Sequence, residues 1–167
     1  MYRFTRKLLV GLATLAMAST LGVNAAQATT SGTRIRNSNS NMCVGIANGL
    51  AGQWYCTTHN DQTWHRGGSW DWNGKTYTQL INGNNQCLGL QYPDSTYRGE
   101  RVVASACNGS ADEYWSYAGM NSNTYVETNI VNLDSGMVMG VSGSSKANGA
   151  AIVEWTWNGN LDQYWWL

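Results

Sequence analysis

His59 and His65 flank Asp61, and any hydrolytic or zinc chemistry in this chain would have to rest on these three residues. Hydrolysis needs a nucleophile with its base, or a pair of positioned carboxylates. The chain has no other histidine and no G-x-S-x-G phrase to raise a serine on a strand-to-helix elbow. Two histidines six residues apart make a thin zinc motif, and both read as polar loop residues. Gly67-Gly68 and Gly143-Ser144-Ser145 do not open helices, so they build no phosphate cradle. No catalytic residue, metal or other cofactor is assigned. What stands out instead is aromatic: nine Trp and nine Tyr against one Phe. Such rings carry a polar handle, so they pack on one side and hydrogen-bond on the other.

The elements that hold these residues follow from the rest of the chain. Arg3, Arg6 and Lys7 precede an uncharged run from Leu8 to Val23, and Ala26-Gln27-Ala28 follows with small residues at its ends. This order is that of a secretory signal peptide over residues 1–28, cleaved after Ala28. A membrane anchor is the rival reading, but the run is short for a span and contains Thr14, Ser19, Thr20 and Gly22. Residues 29–167 suit one domain, soluble outside the membrane. They carry seven basic against ten acidic residues, a net charge of −3. Nucleic acid and membrane insertion are thereby poor fits. Four cysteines in an exported chain read as two disulfides, with three connectivities open. Asn and Gly are plentiful and Pro93 is the single proline, so the chain reads as short strands joined by tight turns. In Trp70-Asp71-Trp72-Asn73-Gly74-Lys75 the Asn-Gly pair predicts a hairpin with Trp70 and Trp72 on one face. That face is expected to cap the open end of a barrel; an exposed aromatic patch is the alternative.

One unit recurs three times. Asp61-Gln62-Thr63-Trp64 returns as Asp112-Glu113-Tyr114-Trp115 and as Asp162-Gln163-Tyr164-Trp165. Upstream stand Cys43-Val44-Gly45-Ile46, Cys87-Leu88-Gly89-Leu90 and Val138-Met139-Gly140-Val141. A third anchor, six residues before each Gln or Glu, is Cys56, Cys107 and Trp157. Each unit has too little apolar surface to fold alone, so three must close on one another, each closing Trp filling part of a shared core. The Gln before that Trp reads first as a buried amide serving turn backbone.

These Q-x-W repeats, the C-L-x-L phrase and the six-residue offset resemble the ricin-B lectin family, also known as carbohydrate-binding module family 13, from about Arg34 to Leu167. The resemblance implies an all-β fold, a β-trefoil of twelve strands with pseudo-threefold symmetry, its repeats at about 34–66, 77–117 and 125–167. It implies disulfides Cys43–Cys56 and Cys87–Cys107. In repeat three Val138 and Trp157 stand at the two cysteine positions, where valine and indole are expected to pack together. The implied function is that of a secreted, monomeric, non-catalytic protein whose partners are glycans or polysaccharide. The family's stacking ring would be Trp54 in repeat one and Trp155 in repeat three. Repeat two has Ser105 there, with Tyr92 and Tyr97 as substitutes from a nearby loop.

The sugar-clasping Asp of the family is replaced by Gly45, Gly89 and Gly140, a departure in all three repeats. Asp61, Asp112 and Asp162 stand where the family has Asn. One reading moves the carboxylate across the pocket, giving candidate carbohydrate-binding residues Trp54, Asp61, Gln62, Trp155, Asp162 and Gln163. The competing reading has each Asp capping its own turn. Loss of the Asp clasp also opens a second function, a trefoil serving as a protein-interaction or inhibitor module.

Overall fold

The computed structural model describes residues 32–94, 96–118 and 125–167, so the segment 1–28 read as a signal lies outside the described residues. Repeat one supplies β1 (Arg36–Asn37), β2 (Cys43–Ala47), β3 (Leu50–Trp54) and β4 (Trp64–Trp72). Repeat two supplies β5 (Lys75–Asn82), β6 (Gln86–Leu90), β7 (Val102–Ala106) and β8 (Tyr114–Ser116). Repeat three supplies β9 (Glu127–Thr128), β10 (Val131–Asn132), β11 (Val138–Val141), β12 (Ile152–Trp155) and β13 (Trp165–Trp166). Among the described residues the thirteen strands are the expected twelve with the first strand of repeat three broken into β9 and β10. A 3-10 turn precedes each closing Trp: Asn60–Gln62, Ala111–Glu113 and Leu161–Gln163.

The pairing repeats three times. Each closing Trp lies between the first strand of its own repeat and the first strand of the next. Trp64 pairs with Thr33 and Asn82, Trp115 with Thr78 and Asn132, and Trp165 with Thr128 and Asn37. This closes a barrel, and the hairpins β2–β3, β6–β7 and β11–β12 cover one end of it. The architecture is a β-trefoil, as expected.

Five positions per repeat build the core. They are Ile35, Leu80 and Ile130; Val44, Leu88 and Met139; Ile46, Leu90 and Val141; Ala51, Val102 and Ile152; and the three tryptophans. Trp64, Trp115 and Trp165 are fully buried, so their indole N–H groups need partners. Each donates to the carbonyl just before the strand glycine of its own repeat: Val44 O at 3.1 Å, Leu88 O at 2.8 Å and Met139 O at 2.9 Å. Between repeats, Asn37 Nδ2 donates to Asp162 O and Asn132 Nδ2 to Asp112 O, tying one repeat's first strand to the previous repeat's 3-10 turn.

The disulfides are Cys43–Cys56 and Cys87–Cys107, the pairing implied by the family resemblance. In repeat three Val138 is buried and Trp157 is 58% exposed. One expectation fails. Trp70 and Trp72 do not close the barrel. Asn73 and Gly74, both at positive φ, do turn the β4–β5 hairpin tightly. A register shift between Arg66 and Ser69 ends the barrel part of β4, and residues 69–75 beyond it are exposed. Trp70 and Trp72 are therefore 43% and 56% exposed, and Trp70 meets Tyr114 edge-on at 5.5 Å.

Replacing Trp115 with Ala should cost about 3–5 kcal/mol, since it opens a cavity where three repeats meet. Trp115→Phe should cost less than Ala while still leaving the Leu88 carbonyl unpaired. Urea unfolding followed by circular dichroism ranks the two.

Candidate carbohydrate-binding site

The pocket-forming residues are placed by the hairpin of one repeat and the 3-10 turn that follows it. In β2 and β3, Gly45 lies opposite Gly52, which leaves a flat floor between the strands. The Trp54 ring crosses this floor: a Cβ added at Gly45 would lie 2.9 Å from its Cδ1, and one at Gly52 3.0 Å from its Nε1. Its far edge meets the preceding repeat, where a Cβ on Gly149 would stand 3.2 Å away. Gly149 has φ +84°, so both its conformation and its contact with the ring call for glycine. Trp155 sits likewise against Gly99 of repeat two, and the Arg98 guanidinium lies over its ring at 5.9 Å.

Neither indole belongs to the core. Trp54 is half-buried and Trp155 is 39% exposed, each on the wall of an open cavity. Ile46, Ala47, Trp54, Asp61, Gln62 and Asn148 line the first cavity, of about 310 Å³. Gly140, Ser144, Val153, Trp155, Asp162 and Gln163 contribute to the second, of about 290 Å³. The two cavities occupy matching places in repeats one and three. Each borrows a residue from a neighbour's hairpin loop, Asn148 in the first and Gly99 in the second.

The residues just before the three turns, His59, Ser110 and Asn160, make no side-chain cap, and the aspartate carboxylates turn toward the neighbouring strands and loops. Asp61 reaches across to β2, where its Oδ2 accepts the Ile46 N–H at 3.3 Å. Asp112 accepts the Leu90 N–H at 3.1 Å, and Ser110 Oγ donates to its other oxygen. Asp162 accepts Ser144 Oγ at 2.7 Å. All three carboxylates lie over the strand glycines. A Cβ at Gly45, Gly89 or Gly140 would stand 3.0, 2.7 or 3.3 Å from the Oδ2 of Asp61, Asp112 or Asp162. Glycine in the strand and aspartate in the turn are one coupled choice, because a side chain on the strand would displace the carboxylate.

Gln62 and Gln163 border the cavities, but their amides are engaged at both ends. Gln62 donates to Tyr55 O and accepts the Thr57 N–H, and Gln163 donates to Thr156 O and accepts the Asn158 N–H. Glu113, with no N–H to give, accepts from Asn108 and Gly109 main chain and from Gln79 Nε2. In repeat two Ser105 presents no ring, and Tyr92 and Tyr97 border a separate cleft with Pro93 and Glu100. His59 is exposed ahead of its turn, whereas His65 lies on β4 opposite Ile81 rather than in a loop.

Two residues escaped the sequence reading. Gln53 and Glu154, each just before a pocket Trp, are fully buried, and Ser40 and Ser135 hold their side chains. The available signal was a polar residue at the same offset before Trp54 and Trp155, replaced by Ala104 before Ser105.

A family model described as the ricin-type beta-trefoil lectin domain matches residues 31–165. No curated protein matches the chain in sequence. Among solved structures, it resembles a designed three-fold symmetric protein, ThreeFoil, with TM-score 0.66 and 18% identity over 79% of this chain and 94% of that one. It resembles the ricin B-like lectin of Macrolepiota procera, solved in complex with lactose, with TM-score 0.58 and 18% identity over 81% and 94%. It also resembles an exo-beta-1,3-galactanase from Clostridium thermocellum, with TM-score 0.68 and 20% identity, covering 81% of this chain and 29% of the enzyme.

Coupling between strand glycine and turn aspartate is testable in repeat three. Gly140→Asp alone should destabilise by about 1–3 kcal/mol through overpacking and like-charge contact. Adding Asp162→Asn should recover a good part of that loss. A double-mutant cycle measured by thermal unfolding reads the interaction, and strict additivity would show the positions to be independent.

Proposed function

The chain belongs to the ricin-type beta-trefoil lectin domain family, and we propose that it is a secreted, non-catalytic protein that binds glycans at Trp54 with Asp61 and at Trp155 with Asp162. The carrying observation is an accessible indole and a carboxylate held over a glycine floor, together in repeats one and three. An indole face suits the C–H surface of a pyranose, and a carboxylate accepts from paired hydroxyls. A desolvated hydroxyl without a partner costs about 1–3 kcal/mol, so the polar partner supplies selectivity. Gln62 and Gln163 shape the pockets by holding their loops. The cavity walls offer indole, carboxylate, amide and hydroxyl groups, which suits holding a ligand. Two shallow sites on one rigid monomer favour a polymer or a glycan-coated surface, where avidity compensates for weak single contacts. The amino-terminal signal pattern and the two disulfides support secretion.

The exposed Trp70 and Trp72 on the β4–β5 hairpin favour a second reading, a protein-interaction module. A glycan array followed by titration separates the two. Trp54→Ala and Trp155→Ala should each weaken glycan binding about tenfold, a loss of about 1.4 kcal/mol, and Asp61→Asn and Asp162→Asn should weaken it in the same pockets. Binding untouched by all four substitutions would overturn the pocket assignment. Silence across glycans, with a protein partner lost on Trp70→Ala or Trp72→Ala, would favour the second reading.

A further inference from the structure

Gln53 and Glu154 hold the same place in repeats one and three. The main-chain N–H of Gln53 donates to Ala150 O and that of Glu154 to Glu100 O, both at 2.9 Å. Their carbonyls accept from the turn glycines packed on the pocket rings: Gly149 N–H to Gln53 O at 2.7 Å and Gly99 N–H to Glu154 O at 2.9 Å. A serine from the turn after the repeat's first strand donates to one end of each side chain. Ser40 Oγ reaches Gln53 Oε1 at 2.7 Å, and Ser135 Oγ reaches Glu154 Oε2 at 2.5 Å. That equivalence leaves Glu154 Oε1 standing where Gln53 has Nε2.

The two remaining atoms differ in what they do. Gln53 Nε2 donates to Ser145 O at 2.8 Å and Ala147 O at 3.0 Å, pinning the loop that carries Asn148 and Gly149 onto Trp54. Glu154 Oε1 is buried with no hydrogen-bond partner. An ionised carboxylate cannot donate, and an unpaired charge in a dry place is costly. Nor do its surroundings compensate. Glu100 and Asp134 face it with like charge, while the Arg101 guanidinium is turned to Ala51 O and that of Arg98 lies over Trp155.

We infer that Glu154 is a positioning residue carried as the neutral acid, a protonated counterpart of Gln53 that steadies the repeat-two loop bringing Arg98 and Gly99 onto Trp155. The same buried place behind the pocket ring is filled by an amide in repeat one and, on the acid side of about 7, by a neutral carboxyl in repeat three. The consequence for ligand binding rests on the proposed function; the protonation itself does not. Burial pushes the Glu154 carboxyl up to about 7; the Ser135 hydrogen bond opposes this, and Glu100 and Asp134 add to it. Because the folded value lies above the ordinary 4.5, the stabilisation is complete below about 4.5 and is lost as pH rises through about 7. The repeat-three pocket is tightest on the acid side of neutrality.

Nuclear magnetic resonance of the folded protein between pH 5 and 8.5, without ligand, tests this. The Glu154 carboxyl carbon should titrate near 7, and the Trp155 indole and Gly99 amide signals should follow it while those of Trp54 and Gly149 do not. In Glu154→Gln the Trp155 and Gly99 signals should stay at their acid positions. A Glu154 midpoint near 4.5, or Trp155 and Gly99 signals that ignore the titration or move equally in Glu154→Gln, would overturn the inference. Should the variant not fold, the wild-type carboxyl titration decides alone. For a glycan bound in repeat three, affinity should fall severalfold from pH 6 to pH 8 in the wild type and stay constant in Glu154→Gln. A titrating Glu154 in a protein that binds no glycan would keep this inference and remove the lectin reading.

Discussion

Three buried indole N–H groups, each given to the carbonyl before a strand glycine, set the distance between the barrel and the hairpins that cover it. The Trp sits on the last strand of its repeat and the carbonyl on the second, so this bond joins parts of the repeat that are not neighbours in the chain. A ring of this size cannot be buried with its N–H unpaired without costing about what the hydrogen bond contributes. The residues just before each Trp are then constrained as well. Two positions earlier, Gln62, Glu113 or Gln163 lies beneath the preceding loop and satisfies its backbone. Three positions earlier, the Asp carboxylate falls over the glycine whose neighbouring carbonyl already holds the indole. Pocket and core are two sides of the same short segment.

The symmetry also explains what repeat two lacks. Buried Gln or Glu, its serine partner and the pocket Trp occur together in repeats one and three; at the same positions repeat two has Ala104, Asn85 and Ser105. These residues depend on one another. With no ring to seat, a Cβ at Gly49 would meet only the Ala104 main chain, and a buried amide holding that turn would have no ring to serve. Repeat two instead contributes through its loop, since Gly99 and Arg98 lie against Trp155. Each pocket is shared between repeats, so a change in one repeat reaches the pocket of the next.

The threefold repeat was legible in the sequence because the side chains that reveal it are the ones the core dictates, whereas the trefoil and the disulfide pairs came with the family resemblance that the repeat carries. Trp64, Trp115 and Trp165 have one possible neighbourhood, and a large ring at a fixed offset announces it. The exposure of Trp54 and Trp155 was not legible, because it depends on glycines in another repeat, Gly149 and Gly99, that no local pattern connects to them. Trp70 and Trp72 misled for a related reason: indoles are expected to be covered, and here the β4–β5 hairpin leaves them open. Glu154 passed unnoticed because an isolated glutamate reads as surface charge; only its match with Gln53 in the fold reveals it as interior.

The exchange of strand aspartate for glycine bears on how a ligand would be addressed. It removes a carboxylate rooted in the hairpin and supplies one rooted in the 3-10 turn, on the opposite wall. The new carboxylates are not free: Asp61 spends one oxygen on the Ile46 N–H, and Asp162 spends one on Ser144 Oγ. That restraint fixes their direction, and under the proposed function the other oxygen of each is the one that accepts a hydroxyl. A sugar stacked on Trp54 or Trp155 would therefore meet its acceptor from the side of the turn. Under the proposed function, selectivity would favour sugars whose vicinal hydroxyls project toward that wall, and would differ from that of relatives whose acceptor stands on the strand.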